Sequence, residues 1–154
     1  MTEPFALTIV PRYAEIDQQG VVFNGHYLTW FDEASTAFFD HIGLPYHVFT
    51  AGGFDVQVVH ADLDYLASVR WRDLVRVAVT CEGTGTTSFT LRFDVLRRAP
   101  DATDADEHLA VRGRNVYVVV STTDWAKRAL PDEMRAALVS VAAQGLPSEG
   151  TVGP

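Results

Sequence analysis

Asp17 is the residue of this chain best placed for chemistry. It lies in the polar turn EIDQQG, and the apolar residues Val21, Val22 and Phe23 follow before the run NGHYLTWFDEAS. Counting from Tyr27, apolar residues recur at Phe31, Ala34, Phe38 and Ile42, the spacing of one helix face. Asn24 suits the N-cap and Gly43 followed by Pro45 suits the stop, so a helix of roughly four to five turns is predicted. The first turn of a helix presents unpaired backbone N–H groups and the positive end of the macrodipole. Such a start can hold an anion, or the oxyanion that forms during acyl transfer. A carboxylate just upstream can face the same spot as nucleophile or general base. A plainer reading also fits and, from spacing alone, is the more common one: Asp favours turns through local hydrogen bonds.

Other chemistries find less support. There is no G-x-S-x-G nucleophile elbow. Cys81 falls on the apolar side of an alternating run, where a packed thiol is the expected state. His26, His41, His47, His60 and His108 form no H-x-x-x-H or Cys/His pattern, so no metal site is expected. The stretch Gly83 to Thr87, GTGTT, lacks the Lys of a phosphate loop and reads as a hairpin turn.

The remaining pattern supplies the elements that must position Asp17. Phe5, Leu7 and Ile9 alternate in a short strand ended by Pro11. His47 to Gly53 reads as a loop punctuated by Gly52 and Gly53. A β-rich but mixed run spans Phe54 to about Ala67. Val75 to Cys81 and Phe89 to Val95 alternate with period two. An acidic, Pro-containing hairpin loop, Ala99 to His108, then leads into a long strand from about Leu109 to Ser121. Pro131, Asp132 and Glu133 open a closing helix with Met134, Leu138 and Val141 on one stripe. One domain over residues 1–143 is expected, with 144–154 a disordered tail. Strand, long helix, then four strands is an α+β order.

The stretch around Asp17 resembles the signature of the hotdog-fold acyl-CoA thioesterases, in particular the 4-hydroxybenzoyl-CoA thioesterase-like branch. Asp17, Gly20, Val21, Val22, Phe23, Tyr27, Trp30, Asp32, Ala34 and Ser35 stand in matching order, with Gly43, Leu44 and Pro45 closing the helix. The resemblance is strongest from about Ile9 to Pro45. It implies a five-stranded antiparallel sheet wrapped around one long central helix, and a homodimer or homotetramer in which sheets join edge to edge. It also implies hydrolysis of an acyl-CoA thioester to free acid and CoA, with Asp17 as nucleophile or general base and no cofactor. The oxyanion site is expected at the backbone N–H groups of Asn24, Gly25 and His26. Tyr27, Trp30, Asp32 and His60 are the expected substrate-binding set; in the hydroxybenzoyl branch the acid matching Asp32 touches the phenolic hydroxyl. Related thioesterases often carry His or an aromatic at Asn24 and Asn at His26, which a backbone donor tolerates.

A net charge of −8 argues against nucleic-acid binding, which needs a basic face. It also means that the phosphates of CoA require a local cluster of cations. The resemblance implies basic residues at the turn occupied here by Gly83 to Thr87, which this chain lacks; Arg70, Arg72, Arg112, Arg114, Lys127 and Arg128 are the candidate replacements, with Lys127 and Arg128 the first choice. That missing turn favours, as an alternative, an acyl-carrier-protein thioesterase of polyketide or fatty-acid metabolism. A non-catalytic acyl-binding hotdog module is a further alternative. A hotdog hydratase would pair its Asp with a His five residues later, where this chain has Val22. No run of 18 apolar residues is present, so no membrane span is expected. With no signal-like N-terminus and a single Cys, the cytoplasm is the expected location.

Overall fold

The structure is a computed structural model that describes residues 3–142; the expected tail lies outside them. Five strands form one antiparallel sheet: β1 (Ala6–Ile9), β2 (Phe54–Tyr65), β3 (Leu74–Thr84), β4 (Ser88–Arg98) and β5 (His108–Ser121). Their order is β1-β3-β4-β5-β2, so β1 and β2 are the edges. The helices are α1 (His26–His41), α2 (Tyr46–Ala51) and α3 (Asp132–Ala142). None of the described helices is long and apolar enough to cross a membrane.

The period-two runs become the centre of the sheet. In β4, Phe89, Leu91, Phe93 and Val95 are buried while the residues between them are only half-buried, as one-faced burial of a pleated strand requires. Val75, Val77, Val79 and Cys81 do the same in β3. Against this face lies α1, which buries Tyr27, Trp30, Phe31, Ala34, Ser35, Phe38 and Phe39 along one stripe. Phe31 stacks on Phe93 with centroids 4.5 Å apart and planes 8° from parallel, and Phe39 meets Phe89 edge-on at 5.7 Å. Each fully buried ring of this kind contributes about 1.5–3 kcal/mol relative to exposure. At the helix end Gly43 adopts φ 83°, and the Leu44 N–H donates to the Phe39 carbonyl at 2.9 Å, closing the last turn as glycine there allows.

Two readings change. His47 to Gly53 is mostly helical: α2 runs from Tyr46 to Ala51. Its existence rests on Phe49, which is buried between Phe39 at 5.0 Å and Phe54 at 5.2 Å. Tertiary packing of one aromatic residue outweighs the local loop signal, and the Gly52–Gly53 pair ends this helix instead of marking a loop. Asn24 is not the N-cap of α1. Gly25 occupies that position, with no side-chain cap. The mixed pattern of β2 has a simple cause: it is an edge strand, exposed from Gln57 to Asp62, with a register shift against β5 between Val58 and His60.

Gly113 in β5 lies directly against the Phe31 ring of α1. A Cβ there would sit 2.7 Å from Phe31 Cζ and 2.9 Å from the Asp62 carbonyl oxygen. Gly113→Ala is therefore expected to force Phe31 off Phe93 and to destabilise the fold by about 1–3 kcal/mol, as overpacking does. Urea denaturation reads this directly, and an unchanged midpoint would show that the helix has slack over the sheet.

Candidate active site

The turn carrying Asp17 is built by three backbone hydrogen bonds. Asp17 N–H donates to the Val21 carbonyl at 2.8 Å, Gly20 N–H to the Asp17 carbonyl at 2.9 Å, and Val22 N–H to the Val69 carbonyl at 2.8 Å. Gly20 holds φ 77°, a conformation that glycine adopts without the cost other residues meet. The half-buried Asp17 side chain accepts the Gln19 N–H at 2.8 Å through Oδ1. It lines an open hollow of about 380 Å³ together with Asn24 and Tyr27 from the start of α1 and Tyr65 to Ser68 from the end of β2.

The helix start leaves donors unused. His26 N–H donates to the Phe23 carbonyl at 3.1 Å, while among the described residues no acceptor takes up the N–H of Asn24 or Gly25. Tyr27 is buried, and burial pushes its phenol up to about 12, with the charges of Tyr65, Asp73 and Asp17 adding to the rise against a hydrogen bond from the Val69 backbone. At neutral pH it is a protonated O–H at the wall of the hollow. Tyr65 donates through Oη to the Asn24 carbonyl at 3.1 Å and packs edge-on against Tyr27 at 5.9 Å. It ties the last residue of β2 to the start of α1, a role with no signal in the sequence beyond an aromatic at a strand end.

Glu15 was also hidden in the sequence, where it is one acid in a polar turn. It is 3% exposed. Its carboxylate accepts Trp30 Nε1–H at 2.8 Å and the Arg12 N–H at 2.8 Å, and its carbonyl accepts the Phe23 N–H at 2.9 Å. Trp30 is thus a buried anchor that pins α1 to the turn before Asp17. Burial alone would raise the Glu15 pKa, but the hydrogen bonds from Arg12 and Trp30 and the Arg12 charge outweigh it and hold the carboxyl below its ordinary value.

The other expected residues lie elsewhere in the protomer. Asp32 is exposed and lines a second cavity of about 540 Å³ with Ser35, Thr36, Phe39, Tyr117 and Trp125. His60 is exposed on β2, with Nε2 3.1 Å from Asp62 Oδ2. Arg112 is paired with Asp94 at 2.8 Å and Arg114 with Glu82 at 2.8 Å. Both alternate with the inward-facing Gly113 and so project from the face opposite α1. Arg128 lies over the Phe54 ring at 5.3 Å, and Lys127 is exposed opposite Val120. Phe54 and Tyr65 are the two ends of β2, separated by about 35 Å at ~3.3 Å per residue. Within one protomer, then, Lys127, Arg128 and Asp17 sit toward opposite ends of the sheet.

A single long helix wrapped by a five-stranded antiparallel sheet, with a carboxylate turn at the helix start, is the hotdog fold of the thioesterase class. The family model of the Thioesterase-like superfamily matches residues 11–138, and the chain belongs to that family. Solved structures agree on the fold. The hypothetical protein TT1821 from Thermus thermophilus is 25% identical, with a TM-score of 0.76 over 88% of this chain and 98% of that one. A DHNA-CoA thioesterase from Staphylococcus aureus is 21% identical, with a TM-score of 0.79 over 92% and 93%. A mutant 4-hydroxybenzoyl CoA thioesterase complexed with 4-hydroxybenzoyl CoA is 19% identical, with a TM-score of 0.76 over 87% and 97%.

The Glu15 anchor has a pH signature. Its folded pKa lies below the unfolded one, so its contribution is fully present above the ordinary value of 4.5 and is lost as pH falls through the folded pKa. Glu15→Gln is expected to lower stability at pH 7 and to flatten the acid side of the stability profile. Chemical denaturation from pH 7 to pH 3 measures both; a variant whose profile parallels the parent would remove Glu15 as the anchor.

Proposed function

We propose that the protein hydrolyses an acyl-CoA thioester, R–CO–S–CoA plus water giving the free acid and the CoA thiol. The observation that carries this reading is the shared hollow: a half-buried Asp17 and Asn24, whose N–H has no acceptor among the described residues, border one space, with the equally unpaired N–H of Gly25 next in the chain. In the general-base form Asp17 takes a proton from water, the hydroxide adds to the thioester carbon, and the C–S bond breaks as the carbonyl re-forms, the proton held by Asp17 passing to the departing thiolate. In the nucleophilic form an Asp17 oxygen adds first, expels the thiolate, and water then opens the mixed anhydride. Both forms place negative charge on the carbonyl oxygen, and the Asn24 and Gly25 N–H groups are assigned to it. Losing one such donor typically costs about 2.7–4 kcal/mol. Tyr27, held protonated, can donate to the same region. Family membership and the CoA thioesterases among the similar structures support CoA esters as substrates. The Gly83 to Thr87 turn, without a cation, keeps a carrier-protein ester as the second reading.

The working unit in this reading is a dimer joined along β2. This edge exposes Val58, Val59 and Tyr65 at 50%, 57% and 55%, a liability for a monomer. A two-fold axis that pairs β2 with its copy sets the Tyr65 end of one strand beside the Phe54 end of the other. The Asp32 cavity and Lys127 of one subunit are thereby brought toward the Asp17 hollow of its partner, which is how Asp32 can meet the acyl group. Of Lys127, Arg128, Arg112 and Arg114, Lys127 is then the one with no acidic or aromatic partner among the described residues.

Asp17→Asn is expected to cut thiol release by about 10²–10⁴-fold and to leave the circular dichroism and assembly unchanged; full turnover in the variant would rule out the assignment. Sedimentation equilibrium is expected to give at least twice the 17.0 kDa chain mass, and an active monomer would remove the β2 dimer from the site.

A further inference from the structure

We infer that Arg70, Trp71 and Arg72, with Tyr13 beside them, form the seat for the phosphoadenosine end of the CoA substrate. The inference rests on the acyl-CoA reading above and gives it a nucleotide site on residues other than Lys127. Its first support is the fate of the cations. Arg76, Arg92, Arg97, Arg98, Arg112 and Arg114 each lie against a carboxylate, and Arg12 lies 3.5 Å from Glu15. Arg135 donates to the carbonyls of Gly85 and Thr86. Among the described residues Arg70 and Arg72 have no acidic partner, although the chain carries a net charge of −8.

The second support is what they flank. Trp71 is 46% exposed and Tyr13 is 76% exposed. Their rings meet edge-on at 5.5 Å, and the Arg72 guanidinium lies 4.4 Å over the Trp71 ring. Guanidinium, indole and phenol form one exposed cluster, with the guanidinium over the indole ring and the phenol ring at 75° to it. Planar bases stack on such surfaces whatever their edge pattern, and the arginine forks fit phosphate oxygens.

The third support is rigidity. Arg72 holds φ 69°, where a non-glycine residue is uncommon. The turn is closed by the Asp73 N–H donating to the Arg70 carbonyl at 3.1 Å. Buried Asp73 in turn accepts the Arg70 N–H at 2.8 Å and Arg97 Nε–H at 2.8 Å. The nearby acids Glu15 and Asp73 are thus engaged inward, and of the acids that share a hollow with Arg72 (Glu3, Asp104 and Glu107), Asp104 and Glu107 are held by Arg98 and Arg76. A surface so held loses little freedom on binding.

The fourth support is position. Val21, in the wall of the Asp17 hollow, bridges to Arg70. Ser68 lines the same hollow, and Trp71 follows it by three residues, ~10 Å of extended chain. An acyl-thioester arm leaving the hollow past Ser68 therefore emerges beside the Trp71 cluster.

The test is calorimetric titration of the intact protein with adenosine 3′,5′-bisphosphate, alongside KM for an acyl-CoA and for the same acyl group on pantetheine. Trp71→Ala and Arg72→Gly are each expected to weaken bisphosphate binding and to raise KM for the CoA ester about tenfold, with the pantetheine ester within twofold. Arg72→Gly keeps the backbone conformation and relieves it, so an unchanged or raised melting temperature excludes misfolding as the cause. Bisphosphate affinity that ignores both variants, or falls only with Lys127→Ala, overturns the assignment. So does an equal effect on both esters, or an effect confined to carrier-protein esters, which would make the patch a protein-docking surface. If Asp17→Asn retains full hydrolysis while bisphosphate binding still depends on Trp71, the nucleotide seat stands and the Asp17 mechanism falls.

Discussion

The packing of α1 onto the sheet through Phe31, Phe93 and Gly113 is the constraint that everything else inherits. An amphipathic helix can slide or rotate on a smooth apolar surface, but a ring stacked on Phe93 at 4.5 Å and seated against a strand glycine has one register. Once Phe31 is seated, the start of α1 at His26 is fixed five residues away, and with it the unused amides of Asn24 and Gly25. Trp30, next to Phe31, then reaches Glu15 and carries that register into the turn before Asp17. A hydrophobic contact thereby sets the separation between a carboxylate and a helix start, which no local propensity could hold.

The polar groups divide by commitment. Across the outer face of the sheet, Arg92 and Arg112 both lie against Asp94, and Arg114 lies against Glu82. Pairs of this kind near the surface add little stability, yet they use up most of the cations in an acidic chain. Burial would raise the pKa of Asp94, but Arg112 and Arg92 hold it below its ordinary value, so it stays ionised between the two guanidinium groups. What an approaching anion meets is then decided by the few groups left over, not by the sum of charges.

The sequence discloses this architecture unevenly, and for physical reasons. Strong period-two runs and the α1 stripe are legible because burial on one face imposes them residue by residue, so β3, β4, β5 and α1 follow from pattern alone. α2 is not legible, because a six-residue helix has little intrinsic stability and exists through what Phe49 touches. β2 is read as a blurred strand because an edge has no second neighbour to impose alternation. At the site, Asp17 and the helix start stand out through spacing and resemblance. Glu15 and Tyr65 do not, since each acts on a partner 15 or 41 residues away. Exposure misleads in the other direction: Asp32 and His60 are close to Asp17 in the sequence reading but share no cavity with it in one protomer.

That separation gives the exposed β2 edge a meaning. Within one chain the Asp17 hollow lies at the Tyr65 end of β2 and the Asp32 cavity toward its Phe54 end, lined by Asp55 to Val58. Pairing two edges antiparallel satisfies the unpaired strand groups and, by the same symmetry operation, exchanges ends. The strand that most threatens solubility in isolation is then the one whose pairing would bring both halves of a site together. Assembly and chemistry would share one set of backbone hydrogen bonds, and selection for either would maintain both.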